Sequence, residues 1–189
     1  MANEVLVKTR TQIRFSGSGF SPADSGTNYT IGTPTVATLS LSAVADGAGR
    51  QSAKADLGAV RAPRSAMQAT VDFTGETPTA GERIDFYWAP STGGTTGNGN
   101  VAGNSGNDAA APVGALGSIA LAEFIRQCLY IGSLTVHAGA SMQNGYVGTF
   151  SPPERYGQMI VVNESGAAAF EANNVEAHVV INPIVDEIQ

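Results

Sequence analysis

Residues 84–88 read Ile84-Asp85-Phe86-Tyr87-Trp88. The run starts in period two and then turns aromatic, as a β-strand does near a sheet end or an interface. A second strand pattern, Met67 to Phe73, precedes it, and Gly75, Pro78 and Gly81 mark the turn between the two. Downstream, Tyr130 to Ala138, Met142 to Phe150, Gln158 to Asn163 and Val175 to Ile184 are each rich in β-branched or aromatic residues and bounded by Gly, Pro or Asn. With Val5 to Arg10 and Thr35 to Val44 the chain offers about eight strands, the spacing of an all-β sandwich or barrel. The expected fold is an antiparallel β-sandwich with one short helix. That helix is read from the near-3.6 period of Ile119, Leu121, Phe124, Ile125, Cys128 and Leu129.

The texture divides at residue 64. Residues 1–64 alternate short extended patterns with glycine-rich interruptions, and residues 46–63 carry few large apolar side chains. This zone is expected to be an extended N-terminal arm that orders mainly against another subunit, with residues 65–189 forming the sandwich domain. Between Ser91 and Pro112 lies a Gly/Asn-rich loop of more than about 20 residues, a length that is usually functional or mobile inside a compact domain.

Composition excludes several classes of function. Charged residues make up 14% of the 189, against roughly 25% in an average soluble domain. A net charge of −6 with ten basic residues argues against nucleic acid, whose phosphates are engaged by many Lys and Arg. No apolar run approaches the roughly 20 residues of a membrane span, and no signal peptide is read at Met1 to Arg14. The expected product is soluble and made in the cytoplasm, with neither nucleic acid nor membrane as partner. A lone cysteine, Cys128, rules out an intrachain disulfide and any multi-cysteine metal centre.

No catalytic constellation emerges. His137 and His178 lie in strand patterns without metal-ligand spacing, and Cys128 falls on the apolar face of the expected helix, a buried-thiol setting. Gly97-Asn98-Gly99 lacks the Lys-Ser/Thr of a phosphate loop, and Gly17-Ser18-Gly19 lacks the strand-to-helix frame of a nucleophile elbow. Asn104, Asn107 and Asp108 offer oxygens to a hard cation, but in no EF-hand order. Asp85 and Asp72 are the carboxylates to test for a glycosidase-type pair or a sugar-binding groove. Glu154-Arg155 reads as a local ion pair or subunit contact, and the sequons at Asn28 and Asn163 carry weight only in an exported chain. Catalytic, cofactor-binding and metal residues are therefore all expected to be absent.

Several segments resemble the small β-rich structural proteins of tailed-bacteriophage particles. They are Val71-Asp72-Phe73, Ile84 to Ser91 with the Gly/Asn loop, Tyr130-Ile131-Gly132-Ser133-Leu134, Phe150-Ser151-Pro152-Pro153-Glu154-Arg155-Tyr156-Gly157, and Val161-Val162-Asn163. The resemblance covers Met67 to Ile188 and leaves residues 1–64 outside it. It implies a jelly-roll-like sandwich and a place in the virion after synthesis in the host cytoplasm. A charge-poor Gly/Ser/Thr/Ala surface fits such a particle because it is inexpensive to desolvate when subunits pack side by side. The expectation is a non-enzymatic head decoration or cement protein, a homo-oligomer bound to the major capsid protein or other virion proteins. The alternative is a tail, collar or head-fibre component that contacts the host surface or a glycan. Candidate subunit-contact residues are Val5, Leu6, Val7, Ile13 and Phe15 of the arm, with Tyr87 and Trp88 either as aromatic anchors or as plain sandwich core.

Overall fold

The computed structural model describes residues 5–21, 33–113, 119–173 and 175–188. In chain order the elements are β1 (Val5–Thr9), β2 (Ile13–Ser16), β3 (Thr35–Thr38), β4 (Gly49–Gln51), β5 (Ala55–Asp56), β6 (Arg64–Asp72), β7 (Arg83–Ser91) and β8 (Ala109–Ala111). They continue with α1 (Leu121–Phe124), a 3-10 turn (Ile125–Gln127), β9 (Leu129–Thr135), β10 (Met142–Phe150), β11 (Tyr156–Glu164) and β12 (His178–Ile188). The strands form two sheets, and the molecule is a β-sandwich. Sheet A has the order β10-β6-β12-β2-β3, with β1 also on β12; sheet B has the order β8-β4-β11-β7-β9, with β5 also on β11. Every pairing is antiparallel except β2 with β3.

The pairings are nested. β7 pairs with β9, β6 with β10, β4 with β11 and β2 with β12, so the second half of the chain retraces the first in reverse order. The Gly/Asn loop and α1 occupy the point where the chain turns back, between β7 and β9.

Period two decides which side chains enter the core. On β7, Ile84, Phe86 and Trp88 point inward with Met159 and Val161 of β11, opposite Phe15, Met67, Val71, Val179 and Ile181 of sheet A. Phe15 meets Trp88 edge-on, with ring centroids 6.2 Å apart at 78°. Gly157 passes directly under the Trp88 indole, and a Cβ there would collide with the ring. Asp85 and Ala89, on the outer face of β7, are buried as well, because β7 is a central strand whose outer face is covered. A smaller apolar cluster of Ala89, Ala111, Phe124, Ile160 and Val162 lies there, with Tyr87, Leu121, Ile125 and Cys128 packed against it. The aromatic end of the 84–88 run thus marks a strand buried on both sides.

Residues 13–64, read from sequence as part of an arm, supply β2 and β3 to sheet A and β4 and β5 to sheet B. Ile13, Phe15, Leu39, Leu41 and Val44 belong to the main core. Residues 46–63 need few large side chains because they contribute mainly backbone. β4 and β5 pair with β11, and the Ala53 N–H donates to Thr38 O at 2.7 Å, tying this stretch back to β3. The segment orders against its own chain.

Candidate functional site

The outer face of sheet B carries a polar cluster beside a cavity. Arg83, Asp85 and Tyr87 follow one another on that face of β7; register places Glu164 of β11 opposite Arg83, Val162 opposite Asp85, and Ser133 of β9 on the other side of Asp85. The Arg83 Nε donates to both Asp85 oxygens at 3.0 and 3.1 Å, and the Ser133 hydroxyl donates to Asp85 Oδ1 at 2.5 Å. Tyr130 Oη lies 2.5 Å from Ser133 Oγ, and the Tyr87 and Tyr130 rings sit 5.2 Å apart at 58°. Burial, reinforced by the negative charge of Asp85, pushes the Tyr87 phenol up to about 12. The Asp85 hydrogen bond and charge raise the Arg83 guanidinium above its ordinary value. Both groups therefore hold their protons through the physiological range. Leu121, Ala122 and Ile125, from α1 and the turn after it, wall a cleft of about 270 Å³ over Arg83, Asp85, Tyr87, Val162 and Glu164.

The helix is placed by a capping contact and an anchor. Glu123 accepts the Ala120 N–H at 3.1 Å, and Phe124 is buried in the outer apolar cluster. Beside it, burial raises the Cys128 thiol to about 12, which keeps it protonated and unreactive.

The Gly/Asn loop is fastened by cationic and amide side chains from the preceding segment. The Lys54 ammonium donates to the carbonyls of Gly93, Thr95 and Asn98 at 2.8, 2.7 and 2.7 Å. Arg50 donates to Asp108 at 2.8 Å, and Gln51, fully buried, spans Ala110 O at 2.7 Å and the Ser105 N–H at 2.9 Å. The oxygens considered for a hard cation have other work: Asp108 takes Arg50 and the Ser40 N–H, and Asn104 Oδ1 accepts the Gly106 N–H. Among the described residues no group of three or more His, Cys, Asp or Glu is placed to hold a metal. Lys54→Met is expected to raise the rate of proteolytic nicking within residues 92–100 about tenfold while leaving global unfolding cooperative. Limited proteolysis alongside a denaturation curve reads both effects.

The sequence-nominated contact residues separate into three settings. Ile13, Phe15 and Trp88 are core and offer no surface. Tyr87 lies half-buried on the outer face of sheet B. Val5, Leu6 and Val7 lie in β1, where Val7 is 64% exposed; the side chains of Val5 and Leu6 fall outside the description.

Asp72 and Asp85 do not form a pair. Asp72 ends β6 in sheet A and accepts the Thr74 N–H and hydroxyl, whereas Asp85 lies in sheet B. Nor do Phe86 and Trp88 join Asp85 in a groove, since the strand turns them inward. Arg155 bonds Asp56 at 2.7 and 2.8 Å rather than its neighbour Glu154. His178 is buried under Phe20, with burial the main cause lowering its pKa, while His137 is exposed. Asn163, the acceptor of one sequon, is fully buried, and Asn28 lies outside the described residues. Sequence reasoning missed Tyr130, Ser133 and Glu164 as partners of the β7 cluster; the signal was the register, which pairs β9 and β11 with β7. No family model, curated protein or solved structure matches the chain.

Proposed function

We propose that this protein is a non-enzymatic structural component of a tailed-phage virion, a homo-oligomeric decoration protein on the outside of the head. The observation that carries this reading is the nested strand order. Reduced to eight principal strands, β10-β6-β12-β2 facing β4-β11-β7-β9, that order supports reading the sandwich as a jelly roll, an architecture used by viral capsid and lectin domains. The charge-poor composition adds support, because such a surface is inexpensive to desolvate across many repeated contacts.

The β1–β12 ribbon offers a means of attachment. Beyond Ile184, whose partner on β6 is Arg64, β12 continues to Ile188 against β1 among the described residues. A two-stranded ribbon is marginal in water, and a neighbouring copy or a capsid subunit packed against it would stabilise it. Val5, Leu6 and Val7 remain the contact candidates there. Binding the assembled shell and not its dissociated subunits stabilises the shell by mass action. Neither nucleic acid nor membrane is needed as a partner.

Quantitative mass spectrometry of purified particles, expressed as copies per major capsid protein, tests the reading. Copies comparable to the capsid protein support decoration. A few copies per particle would move the protein to the collar, tail or a fibre, and absence from particles would overturn the virion assignment.

A further inference from the structure

We propose that the cleft between β7, β11 and α1 binds a neutral pyranose carbohydrate. Three observations converge on this ligand class. The cleft holds about 270 Å³, room for one sugar ring and part of a second. One part of its lining is apolar, from Leu121, Ala122, Ile125 and Val162 with the Tyr87 ring; the other is Arg83, Asp85 and Glu164. A pyranose has that same division, with C–H faces that lie on apolar and aromatic surfaces and hydroxyls around its edge.

The polar groups supply both hydrogen-bonding senses. Arg83 uses Nε on Asp85 and carries two further amino groups as donors, Glu164 across the register is an acceptor, and the Tyr87 and Tyr130 hydroxyl oxygens accept, their protons being directed to Asp85 and Ser133. Paired hydroxyls on adjacent sugar carbons match such an array. An anionic ligand matches it less well, because Arg83 is paired to Asp85 and leaves the Glu164 carboxylate uncompensated. Asp85 itself is committed to Arg83 and Ser133, so its part is to hold those two in place. Tyr130, half exposed beside Tyr87, extends the aromatic surface beyond the cleft.

The proposal is independent of the virion reading, since it concerns the free protein. The test is saturation-transfer-difference NMR on the full chain with methyl glucoside, methyl galactoside, methyl mannoside and methyl N-acetylglucosaminide. Each is used at about 10 mM, because a ligand of this size reaches only millimolar affinity. Transfer to at least one sugar is expected, with affinity falling about tenfold in Tyr130→Ala and in Glu164→Gln. Tyr146→Ala, an exposed tyrosine on β10 of the other sheet, should leave it unchanged, and near-UV circular dichroism verifies that each variant is folded. No transfer from any of the four sugars, or transfer that neither Tyr130→Ala nor Glu164→Gln weakens, would overturn the proposal.

Discussion

Replacing Phe15 by alanine is expected to remove about 3–5 kcal/mol of stability, the range for truncating a buried phenylalanine. The ring is fully buried and stands edge-on to Trp88, and the strand that carries it is paired on both sides, to β12 and β3. The loss has two sources. The transfer free energy of the buried ring is lost from folding, and the cavity left between the sheets collapses only partly because Trp88 is also packed against Phe150, centroids 5.7 Å apart. With a urea dependence of about 2 kcal/mol/M, the midpoint should fall by roughly 2 M at unchanged slope. Val7→Ala, on an exposed position of β1, is the contrast and should stay within about 0.5 kcal/mol. Equal, small effects at both positions would mean that β2 is an arm after all.

Asn163→Leu should cost about as much through a different mechanism. The Asn163 amide donates to Val44 O at 2.9 Å and Ala168 O at 2.8 Å, and its oxygen accepts the Ser165 N–H at 3.1 Å. All three bonds are buried. A leucine fills similar volume but removes two buried hydrogen bonds, each worth about 0.5–1.5 kcal/mol net, and strands the Ser165 N–H at about 1–3 kcal/mol; Val44 O keeps the Phe170 N–H at 3.0 Å and Ala168 O keeps the Ser165 hydroxyl at 2.7 Å. The expected loss is about 2–5 kcal/mol, a fall in Tm of about 5–15 °C for a chain this long. Differential scanning calorimetry reads it directly. A fall of only a few degrees would mean that water reaches these groups and the 44–48 and 165–170 segments are not locked to β11.

These two positions also show what the sequence made legible. The 84–88 run announced a central strand, and its alternation sends Ile84, Phe86 and Trp88 into the core. Ile13 and Phe15 show the same alternation, but the glycine- and serine-rich stretch after them led to an extended arm instead. Gly49-Arg50-Gln51 has no apolar side chain at all; it is a strand because β11 offers it an edge, a relation between distant residues that no local pattern records. The loop at 92–112 reads as mobile for a similar reason. Nothing within it signals that Lys54, far earlier in the chain, satisfies three of its carbonyls. The polar cluster was visible only as Asp85 and Tyr87. Arg83 shares their face through period two on the same strand, whereas Tyr130, Ser133 and Glu164 arrive through strand order and register.

The nested strand order governs how the chain must come into being. Emerging from a ribosome, β4, β6 and β7 have no partners until the second half follows, β2 has only β3, and sheet A lacks its middle until β12 is made, because β12 lies between β2 and β6. Ser16 waits for His178. Pairings at such separation are slow to find, since the loop must be closed before any contact rewards it. Sheet A can therefore close only after β12 has been made. During that interval the apolar faces of the early strands are exposed to whatever lies nearby.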